Sequence, residues 1–326
     1  MNWFIMTLGC IILWGVADIL FKVSSDYNDP LSHYKNFIWI GIVMAVAGVI
    51  MSTWSKTLLD SVQMVKEDVL YLVPLCLFYA MALLFGLLGI KHLNASVVSV
   101  LENIDGALVA IIVYYYYLLT GYIHPSYTIK ILTVIATVSI IIGVILLGKQ
   151  EQALMRAEAH LSEDKKRHRL GALALFFPII YTLADVFSIA EIGGISGNSG
   201  IVYNGVDTSI PAIDFFVFEC AGFAVVTVFV WLYMLIVKKY RYNPFQEEDL
   251  IRCGAATSET FGTMVFIFAS SVNPVFTAPI TSLYCLVTII LARLFLKERL
   301  TKNQYISLAF VIAGIVLLGI SEIFSI

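Results

Sequence analysis

Apolar runs of about twenty residues recur along the chain and are separated by short polar segments. An α-helix rises about 1.5 Å per residue, so one such run crosses the ~30 Å hydrocarbon core of a membrane. Backbone groups in lipid must be hydrogen-bonded within the segment, and barrel strands would be shorter and alternate in polarity. The pattern therefore predicts ten transmembrane helices, at 3–23, 37–54, 69–90, 95–119, 127–148, 170–190, 211–237, 251–270, 273–294 and 304–321.

Composition narrows the class of protein. Apolar residues make up 60% of the 326-residue chain and charged residues 13%, whereas soluble domains have about 45–50% and about 25%. We therefore predict an all-α integral membrane protein. No basic stripe with interleaved aromatic residues occurs, so we expect no nucleic-acid partner. The five cysteines form no Cys-x-x-Cys motif and no Cys/His cluster, so we expect no metal site.

Two pairs of similar segments indicate a duplicated unit. The segments WGVADILFK (14–22) and YTLADVFSI (181–189) both carry Ala-Asp near the end of an apolar run. The segments GVILLG (143–148) and GIVLLG (314–319) end the fifth and tenth runs, with nearly the same separation along the chain. We predict five-helix repeats at 1–148 and 170–326, joined by a charged linker at 149–169. An odd number of helices per repeat inserts the second copy inverted, as in alternating-access transporters.

Basic residues predict the orientation in the membrane. One side of the ten-helix arrangement collects 17 of the 20 Lys and Arg residues, including those of the linker. Cytoplasmic loops carry such an excess. We therefore predict a multi-pass protein of the cell membrane with a cytoplasmic linker and both termini outside.

Acidic residues within predicted helices are candidates for a substrate site, because an ionisable group is costly there. Glu102 and Asp105 are three residues apart and share one helix face, with Asn103 between them. The two acids would repel, so we expect one to hold a proton and the pair to face a cavity. Glu259 in the eighth helix is a further candidate. A structural hydrogen-bond network is the alternative reading.

Three more acids are interpreted as gate or coupling residues. Asp18 and Asp185 lie about five residues from the ends of their helices, and inverted repeats direct them towards opposite membrane faces. Glu219 lies within the seventh helix. A simple helix-end role is the alternative for the two aspartates. No basic residue lies at mid-helix depth, so we expect the interior to bind H⁺, Na⁺ or a cationic substrate.

Aromatic side chains beside carboxylates are typical of ammonium-binding sites. The aromatic residues best placed for the predicted cavity include Trp14, Tyr79, Tyr181 and Tyr284.

The segment RLFLKERLT (293–301) precedes a final apolar helix that contains Gly314 and Gly319. Its Glu298, Leu300 and Thr301 resemble the Glu-x-Leu-Thr hairpin near the end of an EamA-type repeat of the drug/metabolite transporter superfamily. Trp14-Gly15 near the end of the first helix also resembles that family. The first half departs from it, because GYIHPSYT (121–128) stands where the hairpin motif would lie. Outside termini also differ from many bacterial members.

This resemblance implies a secondary transporter with a central cavity and no ATP site. The superfamily handles amino acids, choline, nucleotide-sugars, purines and drugs, so membership leaves the substrate open. With the acidic interior, we expect alternating-access transport of a small cationic or zwitterionic metabolite, with H⁺ or Na⁺ coupling left open. The alternatives are a lipid flippase, an exporter of amphipathic drugs, and a nucleotide-sugar or nucleoside transporter of the same fold.

We expect no enzymatic activity, since neither His-Glu-x-x-His nor Gly-x-Ser-x-Gly occurs. We expect no cofactor. The expected partners are the small-molecule substrate and membrane lipid, and the protein is expected to be a monomer or a homodimer.

Overall fold

The computed structural model describes residues 3–26, 28–104, 108, 127–161, 176–195, 210–244, 249–272, 277 and 280–323. Within these ranges the chain is predominantly helical and contains no strand. The prediction of a helical protein with long apolar helices is therefore confirmed for the part of the chain that is described.

The helices are named in chain order. The first half contains α1 (Trp3–Ser24), α2 (Ser32–Trp54), α3 (Leu58–His92), α4 (Ala95–Glu102) and α5 (Tyr127–Leu161). The second half contains α6 (Phe176–Ile195), α7 (Ala212–Ile236), α8 (Leu250–Val272), α9 (Tyr284–Leu291) and α10 (Lys302–Ile323). A π-helix, Ala292–Leu296, continues α9.

Among the described helices, α1, α2 and α7 are long and apolar enough to cross a membrane. Helix α7 is apolar both on the side that packs in the bundle and on the exposed side. Phe216 and Phe223 are buried in the bundle, whereas Val225, Val228 and Phe229 are exposed on its outer surface. Large exposed apolar side chains of this kind suit contact with lipid. The number of membrane crossings stays a prediction.

Two helices extend more than ten residues beyond their predicted bounds. Helix α3 begins at Leu58 rather than at residue 69 and runs without interruption past Pro74. Helix α5 continues to Leu161, so the first part of the predicted linker extends this helix instead of forming a separate connector.

Most of the close helix packing joins one half of the chain to the other. Helix α1 packs against α8, and α3 packs against α6; three further pairs are α2 with α7, α4 with α9, and α5 with α10. Exchanging α1–α5 for α6–α10 converts each of these pairs into another of them or into itself. This pattern is the one that two repeats related by a pseudo-two-fold axis would produce.

The contact between α5 and α10 follows the same exchange of halves. A Cβ atom at Gly143 would lie 2.6 Å from Val311 Cγ2 and 2.8 Å from the Ser307 carbonyl oxygen. At Gly314, its counterpart in the second half, a Cβ atom would clash with Ile140 and would lie 2.8 Å from the Ala136 carbonyl oxygen. Val311 and Ile140 occupy equivalent positions in the two halves, and so do Ser307 and Ala136, just as the two glycines do. The absence of a side chain at both positions lets the backbones approach closely.

One end of the bundle, here called the basic end, contains the C-terminus of α1 and the N-termini of α2 and α8. Lys22 Nζ donates to the carbonyl oxygens of Ile90 at 2.7 Å and Leu93 at 2.5 Å. Arg252 donates to the Ser24 carbonyl oxygen at 3.1 Å. These bonds hold the ends of α1, α3 and α8 together.

The opposite end is held by an acidic residue. The Asp214 carboxylate in the first turn of α7 accepts hydrogen bonds from Thr57 Oγ1 at 2.6 Å and Ser61 Oγ at 2.7 Å, and also from Ser55. It thereby joins α7 to the connection between α2 and α3.

Candidate functional site

A small central cavity lies between α1, α3, α4, α6, α8 and α9. Its volume is about 20 Å³, measured as the space open to the centre of a water molecule, which is room for about one water. Three carboxylates and three aromatic residues with polar atoms line it: Asp18, Glu102, Glu259, Trp14, Tyr181 and Tyr284. The other lining residues are apolar, and none of the lining residues that the structure describes is basic.

Asp18 joins helices of both halves at this cavity. It is buried on α1, and Thr288 Oγ1 on α9 donates to its Oδ2 at 2.9 Å. Ser99 on α4 lies near the same carboxylate. Trp14 lies one turn earlier on the same face of α1, with its ring centroid 5.6 Å from that of Tyr284. The carboxylate and the indole therefore face the cavity together.

A glycine of α8 makes room for the indole of Trp14. A Cβ atom at Gly262 would lie 2.6 Å from Trp14 Cδ1 and 2.7 Å from Trp14 Nε1. Trp14 Nε1 is buried and has no hydrogen-bond partner among the described residues.

The second half presents a similar arrangement on α6. Tyr181 and Asp185 occupy the places in YTLADVFSI that Trp14 and Asp18 occupy in WGVADILFK, and Tyr181 Oη donates to Asp185 Oδ2 at 3.4 Å. A Cβ atom at Gly86 of α3 would lie 2.9 Å from Tyr181 Cδ2. Each half thus places an aromatic ring on a glycine of the partner helix, one turn before an aspartate.

Glu102 is the last residue of α4 and is 3% exposed. A Cβ atom at Gly86 would lie 2.8 Å from Glu102 Oε1, so the glycine makes room for this carboxylate as well as for Tyr181. Thr182 Oγ1 donates to the Leu101 carbonyl oxygen at 2.8 Å. This bond fixes the end of α4 against α6 and positions Glu102 at the cavity.

The other predicted residues of the fourth helix are placed differently. Asn103 is buried, but its side-chain nitrogen donates to the Ser99 carbonyl oxygen at 2.5 Å and does not line the cavity. Asp105 lies outside the described residues. A substrate-binding role for either residue stays a prediction.

Behind Glu259 lies a second layer of polar side chains. Tyr79 Oη on α3 donates to Glu259 Oε1 at 3.0 Å and lies 2.9 Å from Thr263 Oγ1. The Tyr79 ring packs edge-on against Phe223 of α7, with the centroids 5.2 Å apart. Tyr79 therefore contacts the cavity acid Glu259 without lining the cavity itself.

Glu219 lies on α7, one turn before Phe223, and is 3% exposed. Asp185 and Glu259 are the charged groups that act on it electrostatically. It does not line the cavity. The second layer therefore contains Glu219 together with Tyr79, on the side of Glu259 that faces α7.

The cavity contains buried acids, and none of its described lining residues is basic, which restricts what this site does chemically. An ionised carboxylate in a low-dielectric interior is strongly unfavourable unless a cation or several hydrogen bonds compensate it. Like charges nearby add to that cost. The acids around the cavity must therefore hold protons, bind a cation or accept hydrogen bonds, as Asp18 does from Thr288 and Glu259 does from Tyr79. Such a site can exchange a proton for a cation.

The structure brings together residues that sequence reasoning kept apart. Helix-end counting directed Asp18 and Asp185 towards opposite faces, whereas Asp18 lines the same cavity as Glu102 and Glu259. Their gate or coupling roles stay predictions. Sequence reasoning missed the hydroxyl partners Thr288 and Thr263, because single threonines in apolar runs are common. It also missed Gly86 and Gly262, whose role depends on which helices are in contact.

Comparisons with known proteins bear on this site. Residues 196–320 match the model of the EamA-like transporter family, which confirms the resemblance found in the sequence. No curated protein matches the sequence. A solved structure described only as "Crystal structure of protein" has a similar fold, with a TM-score of 0.54 and 11% sequence identity. The match covers 97% of this chain and 96% of that chain, and at this identity it shows the fold alone.

Proposed function

We infer that this chain, which matches the EamA-like transporter family, is a secondary transporter for a small cationic or zwitterionic metabolite. The family match supports a membrane transporter of the drug/metabolite type rather than an enzyme. One observation carries the choice of substrate. The lining of the central cavity combines three carboxylates with three polar aromatic residues, and no basic residue is among the lining residues described.

An ammonium or quaternary ammonium group is the chemical class that fits this lining. The Coulomb attraction between a cation and a carboxylate is far stronger in a site of low dielectric than in water. The faces of Trp14 and of the two lining tyrosines add cation–π attraction. A sugar or a nucleotide would instead bring hydroxyl groups or phosphates, and phosphates would be repelled by Asp18, Glu102 and Glu259.

Alternating access accounts for the small size of the cavity. A volume of about 20 Å³ accepts about one water molecule and no metabolite, so the helices must separate for a substrate to enter. The symmetric pairing of α1 with α8 and of α6 with α3 supports two repeats that rock about the cavity. We propose that the repeats are inverted and that H⁺ exchange at the cavity acids drives the cycle.

A ligand screen on the purified protein tests the substrate class. Choline, lysine, simple amines, nucleosides and sugars are each added, and the thermal unfolding midpoint is measured. A ligand present at about 100 times its dissociation constant stabilises by about 2.7 kcal/mol. We expect the amines and choline to raise the midpoint and the neutral sugars to leave it unchanged. Stabilisation by nucleosides or sugars alone would support the alternative substrates of this fold.

Transport itself is tested in proteoliposomes. Vesicles preloaded with an unlabelled amine from the screen should take up the labelled amine in exchange, and an opposing pH gradient should change the rate. The Glu259→Gln variant should exchange poorly, and Asp60→Asn, at an exposed position on α3, should match the wild type. Equal exchange by wild type and Glu259→Gln would remove Glu259 from the site.

A further inference from the structure

We propose that Glu219 is a proton-binding residue outside the substrate cavity and that it controls the charge on Glu259. This inference rests on the function proposed above, because it assigns the coupling proton to a particular residue of the same site. In the proposed arrangement, Glu259 contacts the substrate and Glu219 does not.

The position of Glu219 separates it from the substrate. It is on α7, which contributes no residue to the cavity lining, and Tyr79 lies between this helix and Glu259. Its Oε2 is buried and has no hydrogen-bond partner among the residues that the structure describes. A carboxylate oxygen in this state is compensated by a proton or a cation.

The groups facing Glu219 favour a proton over a negative charge. Asp185 on α6, Glu259 on α8 and the Tyr79 hydroxyl on α3 are close enough to interact with Glu219 electrostatically. On α2, the titratable side chains, His33, Tyr34 and Lys35, lie in the first turn at the basic end. The titratable groups described near Glu219 are therefore acidic or neutral, and none supplies the positive charge that an ionised Glu219 would need.

Coupling between Glu219 and Glu259 follows from like-charge repulsion. Two nearby buried carboxylates do not both ionise easily, so they titrate as a pair. Glu259 becomes negative, and attracts a cation, most readily while Glu219 holds its proton. If Glu219 loses that proton, its negative charge favours protonation of Glu259, and the substrate cation loses its partner in the cavity.

The Tyr79 hydroxyl gives this coupling a direction. The Tyr79 hydroxyl donates a hydrogen bond to Glu259 Oε1, and Thr263 Oγ1 lies at hydrogen-bonding distance from the same hydroxyl. This bond stabilises the ionised form of Glu259, whereas no described residue donates to Glu219 Oε2. Of the two acids, Glu259 is therefore the one that carries the negative charge and Glu219 the one that keeps the proton.

Infrared titration of the purified protein tests the proposal without a substrate. The carboxylic-acid C=O stretch of buried acids is followed from acidic to alkaline pH. We expect Glu219→Gln to remove the band that persists to the higher pH. In Glu259→Gln, the Glu219 band should disappear at lower pH than in the wild type, since no negative charge at position 259 then opposes its ionisation. The Glu259→Gln variant identifies the second band, and Asp60→Asn, at an exposed position, should leave both bands in place.

Two results would overturn the proposal. One is a Glu219→Gln spectrum that lacks no carboxylic-acid band, which would mean that Glu219 is ionised throughout. The other is a Glu219 band that titrates at the wild-type pH in Glu259→Gln, which would mean that the two acids are independent. If Glu219→Gln does not fold, Glu219→Asp keeps the acid and should retain the coupled titration, and its loss would count against the proposal.

A binding experiment distinguishes failure of this proposal from failure of the proposed function. Choline affinity is measured across the same pH range in wild type and Glu219→Gln. The proposal predicts that wild-type affinity changes at the pH where Glu219 loses its proton and that this change is absent from the variant. Coupled infrared titration without binding of choline or any amine would preserve the proton role and refute the substrate class. Binding with an identical pH profile in both proteins would preserve the substrate class and refute the role of Glu219.

Discussion

Charged side chains have different partners at the centre of the bundle and at its basic end. At the basic end, Lys22 and Arg252 donate to backbone carbonyl oxygens, and Arg252 also forms an ion pair with Asp249. At the centre, the carboxylates of Asp18, Glu102 and Glu259 share one cavity without a basic residue in its described lining. Charged side chains at the basic end hold helices together, whereas the acids at the centre have no basic partner in the described lining.

Glu298 shows how the basic end uses an acid. Its Oε1 accepts the Ala95 N–H at 2.9 Å, and its Oε2 accepts the Ser96 N–H at 3.2 Å and the Ser96 hydroxyl at 2.7 Å. Glu298 therefore caps the N-terminus of α4, where unbonded N–H groups favour a negative charge. Lys297, in the left-handed conformation with φ 56°, ends the π-helix and directs the chain towards this cap.

The largest expected effect comes from removing charge at the centre. We expect Glu259→Gln to weaken binding of the cationic ligand by on the order of a hundredfold, because a hydrogen-bonded charged partner contributes ~1.5–3 kcal/mol. Glu298→Gln, which removes a charge of the same sign at the basic end, should leave ligand affinity within about threefold. Isothermal titration of both variants measures the two affinities. Equal losses of affinity in the two variants would mean that the acids of the two regions contribute equally to ligand binding.

The next effect concerns the contact of α5 with α10, which is apart from both charged regions. We expect Gly143→Ala and Gly314→Ala each to destabilise the fold by about 1–3 kcal/mol, because the added methyl group meets backbone atoms. Gly254→Ala is the matched control, since its Cβ atom would have Leu20 Cδ1 as its nearest neighbour, at 3.8 Å. Denaturant unfolding measures all three. A neutral result at both Gly143 and Gly314 would contradict the close packing of the repeats.

A smaller effect is expected from the cap at the basic end. Glu298→Ala should destabilise the fold by about 1 kcal/mol, the usual cost of losing a helix cap. Ser96→Ala removes the hydroxyl partner and leaves both backbone N–H bonds, so it should cost less. The comparison of the two unfolding free energies shows whether the backbone bonds carry the cap. A larger loss in Ser96→Ala than in Glu298→Ala would show that they do not.

The positions of the helices could be predicted from the sequence, but the contacts between helices mostly could not. The positions of α1, α2 and α7 follow from apolar runs, since hydropathy alone places such segments. The similarity of GVILLG to GIVLLG also anticipated the matching contacts of Gly143 and Gly314. Neither hydropathy nor sequence similarity could predict that Asp18 shares a cavity with Glu102 and Glu259. This arrangement depends on which helices cross and at what height, and on glycines that admit the side chains.

The smallest expected effect is a pH dependence at the basic end. Asp29 is partly buried, which opposes its ionisation, but the hydrogen bond from Lys35 at 2.7 Å, the Leu31 N–H and nearby lysine charges lower the pKa of Asp29 below 3.8. A lowered pKa stabilises the folded protein above the unfolded value of 3.8, and this contribution is lost as pH falls through the folded value. Because the ion pair is partly exposed, we expect less than about 1 kcal/mol. Asp29→Asn should remove this part of the acid dependence in unfolding measured on either side of the transition, whereas Asp60→Asn should keep it. An unchanged profile in Asp29→Asn would mean that the carboxylate stabilises the basic end no more than an exposed acid does.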